Sequence, residues 1–223
     1  MNKPRIFVMD TETTGLEDDK AIVEVSWVEI NDRGMAVGVP TVHTVDPEKP
    51  INCAAAGVHG IRDEDIKSGK FPKITEIQFP EGPIILAAHN TAFDRPLLEP
   101  HVNIVDELCT LRLSRRLLPD APDHKLATLL CYCDLPAMVS HSAGMDVLQT
   151  SFLLKYLCQG AEMSVEDLIP WAKEPLVLQL MPWGKHKGER MRDVPKSYMS
   201  WLSKQDLDID MRATVNYYMR KTG

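Results

Sequence analysis

The chain has 223 residues, of which 44% are hydrophobic and 26% are charged, and its formal net charge is −7. This composition is ordinary for a globular protein with a sizeable core, and no run approaches the ~20 apolar residues of a membrane helix. The acidic balance argues against nucleic acid as a partner unless some of the acids hold metal, since phosphate affinity usually comes from clustered lysine and arginine. Five cysteines without a C-x-x-C pair indicate neither a disulfide framework nor a zinc site, and without a signal peptide the expected location is cytoplasmic.

Strand-like runs dominate the first part of the chain. Residues 5–10, 21–30 and 35–45 are rich in β-branched and apolar side chains and are separated by turn residues, which predicts an antiparallel meander. A fourth apolar run at residues 83–88 leads into a helix predicted around residues 94–99.

Helices dominate the next part. Helices are predicted at residues 110–118, at residues 125–134 and from about Ala143 to a stop near Gly160. Strands followed by a mixture of strand and helices predict an α/β layered domain that covers residues 1–160.

The last part differs in composition. Prolines punctuate residues 161–180, which predicts a linker with one short helix. Residues 181–223 are predicted to form a small α-rich module, and three of the four tryptophans of the chain lie after residue 170. Lys185 and Lys187 belong to a local excess of basic residues beside Trp183, an arrangement suited to a phosphate backbone and a stacked base. The alternative is a small domain with a tryptophan core and solvated lysines.

Acidic residues occur in three distinctive sequence motifs. Asp10 and Glu12 end the first apolar run at i and i+2, so they share one face of a strand, where they repel each other and lose water. Asp94 ends the stretch HNTAFD, and Asp146 ends HSAGMD, five residues after His141. If these acids converge, divalent cations must neutralise them, and hard oxygen ligands select Mg²⁺ or Mn²⁺.

The histidine is predicted to lie on a loop. His141 and Asp146 would be about 140° apart on one regular helix, so they would not face one target. An imidazole with an ordinary pKa of about 6.5 is suited to take a proton from water near neutral pH. Two metal ions held about 4 Å apart are suited to phosphodiester cleavage.

Each motif has an ordinary alternative when taken alone. Asp10 and Glu12 could be a strand end that reaches solvent, Asp94 a helix N-cap and His141 a surface histidine. Their ordered combination favours the catalytic interpretation.

The ordered set D-x-E, H-N-x-x-F-D and H-x-A-x-x-D resembles the DEDD 3′-to-5′ exonucleases of the histidine subgroup, in the superfamily of RNase T and the proofreading subunits. The resemblance implies an RNase H-like mixed sheet flanked by helices and metal-dependent release of 5′-mononucleotides from 3′ ends. It also implies that Asp10, Glu12, Asp94 and Asp146 hold two Mg²⁺ or Mn²⁺ ions and that His141 is the general base.

The same resemblance implies contacts with the substrate. Leu16 would wedge against the terminal base, the backbone around Thr11 would approach the terminal sugar, and His59 would contact the terminal nucleotide. Asn90 is a further candidate for substrate binding, and both His59 and Asn90 have the alternative of holding loops under the site. Gly144 departs from the family pattern, in which a bulkier aliphatic residue is usual, and a glycine could loosen the first turn of the helix.

The predicted function is therefore a metal-dependent 3′-to-5′ exonuclease that acts on DNA, single-stranded or also double-stranded. The alternatives are an RNA 3′-exonuclease, because the catalytic acids do not read the sugar, and a non-catalytic adaptor for DNA ends or a polymerase. DNA 3′ ends are the expected partner and no membrane is expected. RNA and self-association into a homodimer are left open.

Overall fold

A single mixed sheet of five strands organises the structure, a computed structural model that describes residues 3–137 and 142–221. The strand order is β3-β2-β1-β4-β5. The strands are β1 (Arg5–Thr13), β2 (Ile22–Ile30), β3 (Thr41–Thr44), β4 (Ile84–Ala88) and β5 (Ile104–Cys109). Because β1 pairs antiparallel with β2 and parallel with β4, it is the central strand, and its carboxyl end lies at the same sheet edge as those of β4 and β5.

Helices cover both faces of this sheet. Within the described residues they are α1 (Cys53–His59), α2 (Asp63–Gly69), α3 (Thr91–Leu98), α4 (Thr110–Leu117), α5 (Leu126–Tyr132), α6 (Ala143–Ala161), α7 (Val165–Lys173), α8 (Lys196–Leu202) and α9 (Ile209–Lys221). In the part of the chain that is described, no helix combines the length and the apolarity needed to cross a bilayer. The mixed sheet flanked by helices confirms the predicted α/β class.

Alternation along β1 creates two hydrophobic cores. Ile6 and Val8 face the core formed with α4, α5, α6 and α7, whereas Phe7 and Met9 face the second core, which includes Leu98 of α3. Successive strand side chains point to opposite faces, so each core receives every second residue. Both faces of β1 are therefore buried before the strand reaches its acidic end.

Several elements differ from the prediction. Of residues 35–45, only Thr41–Thr44 is a strand; before it, Ala36 forms one isolated bridge, and Gly38 (φ +99°) and Pro40 interrupt the extended chain. Strand β5 and the short helices α1 and α2 were not predicted, because they are short and mix polar with apolar residues.

The C-terminal tail, residues 174–221, has its own core and a polar attachment to α4. Leucine, methionine and valine side chains form this core: Leu178, Met181, Met191, Val194, Met199, Leu202, Leu207, Met211 and Val215. Trp183 and Trp201 are exposed, so the alternative of a tryptophan core is wrong. Asp210, which is 1% exposed, accepts hydrogen bonds from Nε and Nη2 of Arg112 at 3.1 and 2.9 Å.

The short helix α7, inside the predicted linker, packs against the main core. Val165, Leu168, Ile169 and Ala172 are buried there with the α4 and α6 side chains. The Pro170 ring does not end the helix, which continues to Lys173. The division into residues 1–160, 161–180 and 181–223 stays a prediction.

Candidate active site

The carboxyl end of β1 carries the acidic residues. Strand β1 continues past the predicted end to Thr13, so Asp10 and Glu12 both lie within regular strand and extend the face of Ile6 and Val8. That face packs against α6, the helix that carries Asp146 in its first turn. The D-x-E motif lies at the end of β1, and Asp146 lies at the start of α6. The two motifs therefore meet at one edge of the sheet.

Three carboxylates form a group with the dimensions of a cation site. One oxygen each from Asp10, Glu12 and Asp146 lies within 4.8 Å of the others, and all three residues are partly buried. Oxygen donors at this spacing fit a hard divalent cation, and a +2 charge would neutralise part of their mutual repulsion. The convergence expected from the sequence is thus observed for these three residues.

Asp94 approaches the same strand from the opposite face. It accepts hydrogen bonds on Oδ1 from the backbone N–H of Thr11 at 3.1 Å and from the Thr11 hydroxyl at 2.8 Å. Helix α3 begins at Thr91 with Asn90 as its N-cap, so Asp94 lies inside the first turn and the N-cap alternative for Asp94 is wrong. Both donors of Thr11 are used on Asp94, which fixes this carboxylate beside Asp10.

The crowded charges raise the pKa values of the acids. Burial and then the charges of Asp94, Asp146 and Glu12 raise the pKa of Asp10 well above its ordinary value. The pKa of Glu12 rises to about 7, mainly through burial and then through the charge of Asp146. Burial also raises the pKa of Asp94, against the opposing hydrogen bonds from Thr11. Without a counter-ion the site therefore favours protonated carboxyl groups.

Two polar residues that the sequence did not single out hold Asp146 in place. Glu24, opposite Glu12 on β2, accepts the backbone N–H of Ala143 at 2.8 Å and so fixes the first turn of α6. Gln149, 3% exposed, donates from Nε2 to Oδ1 of Asp146 at 3.3 Å. The sequence signal for Glu24 is an acid near the start of the mostly apolar strand β2.

Gly144 has a packing role. A Cβ at this position would lie 2.7 Å from Cγ2 of Val42 on β3, a stiff β-branched side chain. The glycine therefore allows the start of α6 to approach the sheet closely. Close packing against Val42 thus gives a reason for the departure from the family pattern. This reason differs from the loosened helix turn that the sequence suggested.

His141 lies outside the described residues, two positions before Ala143, the first residue of α6. Its role as general base stays a prediction.

The residues predicted to contact the substrate differ in their exposure and in their contacts with the rest of the protein. Leu16 is 83% exposed on the loop after β1, which leaves it accessible to a base. His59 is buried, and its ring nitrogens contact the Thr13 carbonyl at 3.2 Å and the Ile61 N–H at 3.1 Å. His59 thus joins α1 to the end of β1, as the loop-holding alternative expects. Asn90 is exposed with φ +96°.

The basic residues of the tail lie on a loop that carries none of the acidic site residues. Trp183, Lys185 and Lys187 are exposed on a loop closed by hydrogen bonds between Met181 and Glu189 and between Gly188 and Met181. Their contact with a substrate strand stays a prediction.

The raised pKa values predict an unusual pH dependence of the metal-free protein. The folded-state pKa of Glu12, about 7, lies above its ordinary value of 4.5, so the folded protein binds this proton more tightly than the unfolded chain does. The resulting stabilisation is full below the unfolded pKa and is lost as the pH rises through the folded pKa. We expect the Tm in EDTA to fall between about pH 5 and about pH 8, and Mg²⁺ to raise the Tm more at the higher pH.

Thermal unfolding at both pH values, with EDTA and with Mg²⁺, checks this expectation. An equal Mg²⁺ effect at both pH values would contradict it. Glu12→Gln is the matched variant, because it removes one of the titrating groups and should reduce the pH dependence of the Tm in EDTA.

The fold and the acidic edge fit a hydrolase of the nuclease class. A family model described as an exonuclease, of the RNase T type, matches residues 7–153, and the chain belongs to this exonuclease family. A second model, described as a putative quorum-sensing-regulated virulence factor, matches residues 173–208 in the tail.

Individual relatives agree with the family. Exodeoxyribonuclease 10 of Escherichia coli strain K12 is 28% identical over 96% of this chain and 99% of its own length. The PolC-type DNA polymerase III of Bacillus subtilis strain 168 is 30% identical over 71% of this chain, which corresponds to 12% of that protein.

Solved structures support the predicted RNase H-like fold. A structure described as exonuclease X in complex with 5′ overhanging duplex DNA has a TM-score of 0.62 and 28% identity, and the match covers 75% of this chain and 99% of that one. Escherichia coli exonuclease I with a dT13 oligonucleotide has a TM-score of 0.58 at 14% identity over 72% of this chain and 42% of that one, a likeness of fold alone.

Proposed function

We propose that the chain is a metal-dependent exonuclease that removes 5′-mononucleotides from the 3′ ends of DNA. The observation that carries the proposal is the group of Asp10, Glu12 and Asp146 oxygens at the carboxyl end of the central strand. Family membership supports exonuclease activity, and the names of exodeoxyribonuclease 10 and of the DNA-bound exonuclease X support DNA as the substrate.

Two Mg²⁺ or Mn²⁺ ions, when bound, supply activation of the attacking water and stabilisation of the leaving oxygen. Asp10, Glu12 and Asp146 would hold the more tightly bound ion, and Asp10 and Asp94 would hold the second. Glu24 and Gln149 keep the Asp146 carboxylate aimed at the site.

Thr11 fixes Asp94 from the other face of β1, so this carboxylate is oriented before substrate arrives. Leu16, exposed beyond the acidic edge, separates the terminal base from its neighbour. His141 takes the proton from the attacking water.

Replacing His141 by Ala should separate metal binding from turnover. The acids that hold the ions remain, so Mn²⁺ should bind with nearly unchanged affinity while general-base catalysis, worth about 10²-fold to 10⁴-fold, is lost. Calorimetric titration with Mn²⁺ and single-turnover nucleotide release measure the two quantities. Near-full activity in His141→Ala would refute the assignment of the general base.

One experiment tests the proposed function as a whole. Matched DNA and RNA oligonucleotides, labelled at the 3′ or the 5′ end, are incubated with the protein and Mg²⁺. We expect mononucleotides first from the 3′ label, with DNA digested faster than RNA. Faster RNA digestion would favour an RNA 3′-exonuclease, and tight DNA binding without any nucleotide release would favour the adaptor.

A further inference from the structure

A cleft lies between the exonuclease fold and the C-terminal tail. Its volume is about 580 Å³, and its walls are the end of α4 with the following loop on one side and residues 176–182 and 187–188 of the tail on the other. We call it the inter-module cleft. The tail wall of this cleft lies outside residues 7–153, the part of the chain that the exonuclease model matches.

The cleft begins next to the acidic site. Asn90, the N-cap of α3, lines the cleft, and Asp94 lies four residues further along the same helix. Four residues of helix correspond to about 6 Å of rise. A strand whose terminal phosphate lies at the acidic edge can therefore continue directly into the inter-module cleft.

Cations line both walls of the cleft. Lys125 follows the loop after α4, and Lys187 belongs to the tail; both are exposed, and neither forms an ion pair with a carboxylate in the part of the chain that is described. Asp123 also lines the cleft, and the charges of both lysines act on its carboxylate. Both lysines therefore lie in the same region of the cleft. By contrast, Arg115 lies 3.7 Å from the Asp210 carboxylate, which also pairs with Arg112.

The space between these lysines is mostly apolar. Side chains without charge fill both walls: Leu111, Ala121, Leu126, Leu176, Leu178 and Leu180. In a chain of net charge −7, two unpaired lysines above apolar walls match a ligand with regularly spaced anions and apolar sugar and base faces. A single nucleic-acid strand has this chemistry, and the cleft leads to the site that would cut it.

We propose that the inter-module cleft binds the phosphodiester backbone of the DNA strand on the 5′ side of the scissile bond, with Lys125 and Lys187 each contacting a phosphate. The proposal rests on the proposed exonuclease function and adds a binding surface that exists only while the tail is docked on α4. The acidic edge then holds only the terminal nucleotide, and the inter-module cleft holds the strand on its 5′ side.

The full-length double variant K125A/K187A tests this proposal with two substrates in Mg²⁺. One is a single DNA strand of about 20 nucleotides; the other is the p-nitrophenyl ester of thymidine 5′-monophosphate, which has no upstream phosphate. We expect the KM for the strand to rise about tenfold, and the slope of log KM against log salt to fall by about 1.4, or about 0.7 for each lost phosphate contact. Hydrolysis of the ester should not change.

The control is K155A/K204A, which removes two exposed lysines, one on α6 and one after α8, outside the cleft. Equal strand KM values for the two double variants would overturn the cleft proposal, as would an equal loss on the ester and the strand. If the unmodified protein hydrolyses neither substrate, the exonuclease function itself fails and the cleft proposal falls with it.

Discussion

Replacing Asp10 by Asn is expected to stabilise the metal-free protein and to abolish nucleotide release. Burial and neighbouring charges raise the pKa of this carboxyl group, so its charge at neutral pH opposes folding when no cation is present. The amide keeps the shape and removes the charge, which should raise the Tm in EDTA. The same change removes a shared metal ligand, and a loss of about 4 kcal/mol of transition-state stabilisation lowers kcat about 10³-fold.

Thermal unfolding with and without Mg²⁺, together with nucleotide release from a DNA strand, measures both effects. Glu64→Gln is a suitable control, because it removes one negative charge from the exposed first turn of α2 and should change neither quantity. If Asp10→Asn retained an Mg²⁺-dependent rise in Tm and substantial turnover, the acidic group would not be the metal site.

The sequence predicts the central part of this site because its signals are local. An apolar strand that ends in D-x-E determines which face carries the acids, and the period of two places Asp10 and Glu12 with Ile6 and Val8. The same period places Thr11 on the other face, where it meets Asp94. The sequence therefore predicts which residues form the site, and the structure shows that Thr11 and Asp94 are hydrogen-bonded to each other.

The supporting contacts could not be predicted, because each joins residues far apart in the chain. Glu24 and the N–H of Ala143 are 119 positions apart, and Arg112 and Asp210 are 98 positions apart. No periodicity or motif marks such pairs; only tertiary packing brings them together. Strand β5 was missed for a related reason, since an edge strand with a mixed pattern gains its conformation from pairing with β4.

Replacing Asp210 by Asn is expected to release the C-terminal tail from α4. Besides its two bonds with Arg112, Asp210 accepts the backbone N–H of Leu176 at 3.0 Å, so one buried carboxylate joins both ends of the tail to the exonuclease fold. Loss of one partner from a buried ion pair costs about 3 kcal/mol, toward the lower end of the usual range because Arg112 is 20% exposed. Hydrogen exchange of residues 176–218 should therefore accelerate about 100-fold, since about 2.7 kcal/mol corresponds to that factor.

The matched control is Asp193→Asn in the same tail, where the carboxylate pairs with Arg192 at 3.8 Å and both side chains are 64% exposed. An exposed pair contributes less than about 1 kcal/mol, so exchange in the tail should stay close to that of the unmodified protein. Because the acidic site is built on β1, α3 and α6, Asp210→Asn should retain hydrolysis of the p-nitrophenyl ester while the KM for a DNA strand rises. Unchanged protection of the tail in Asp210→Asn would mean that apolar packing, and not the buried carboxylate, holds the two parts together.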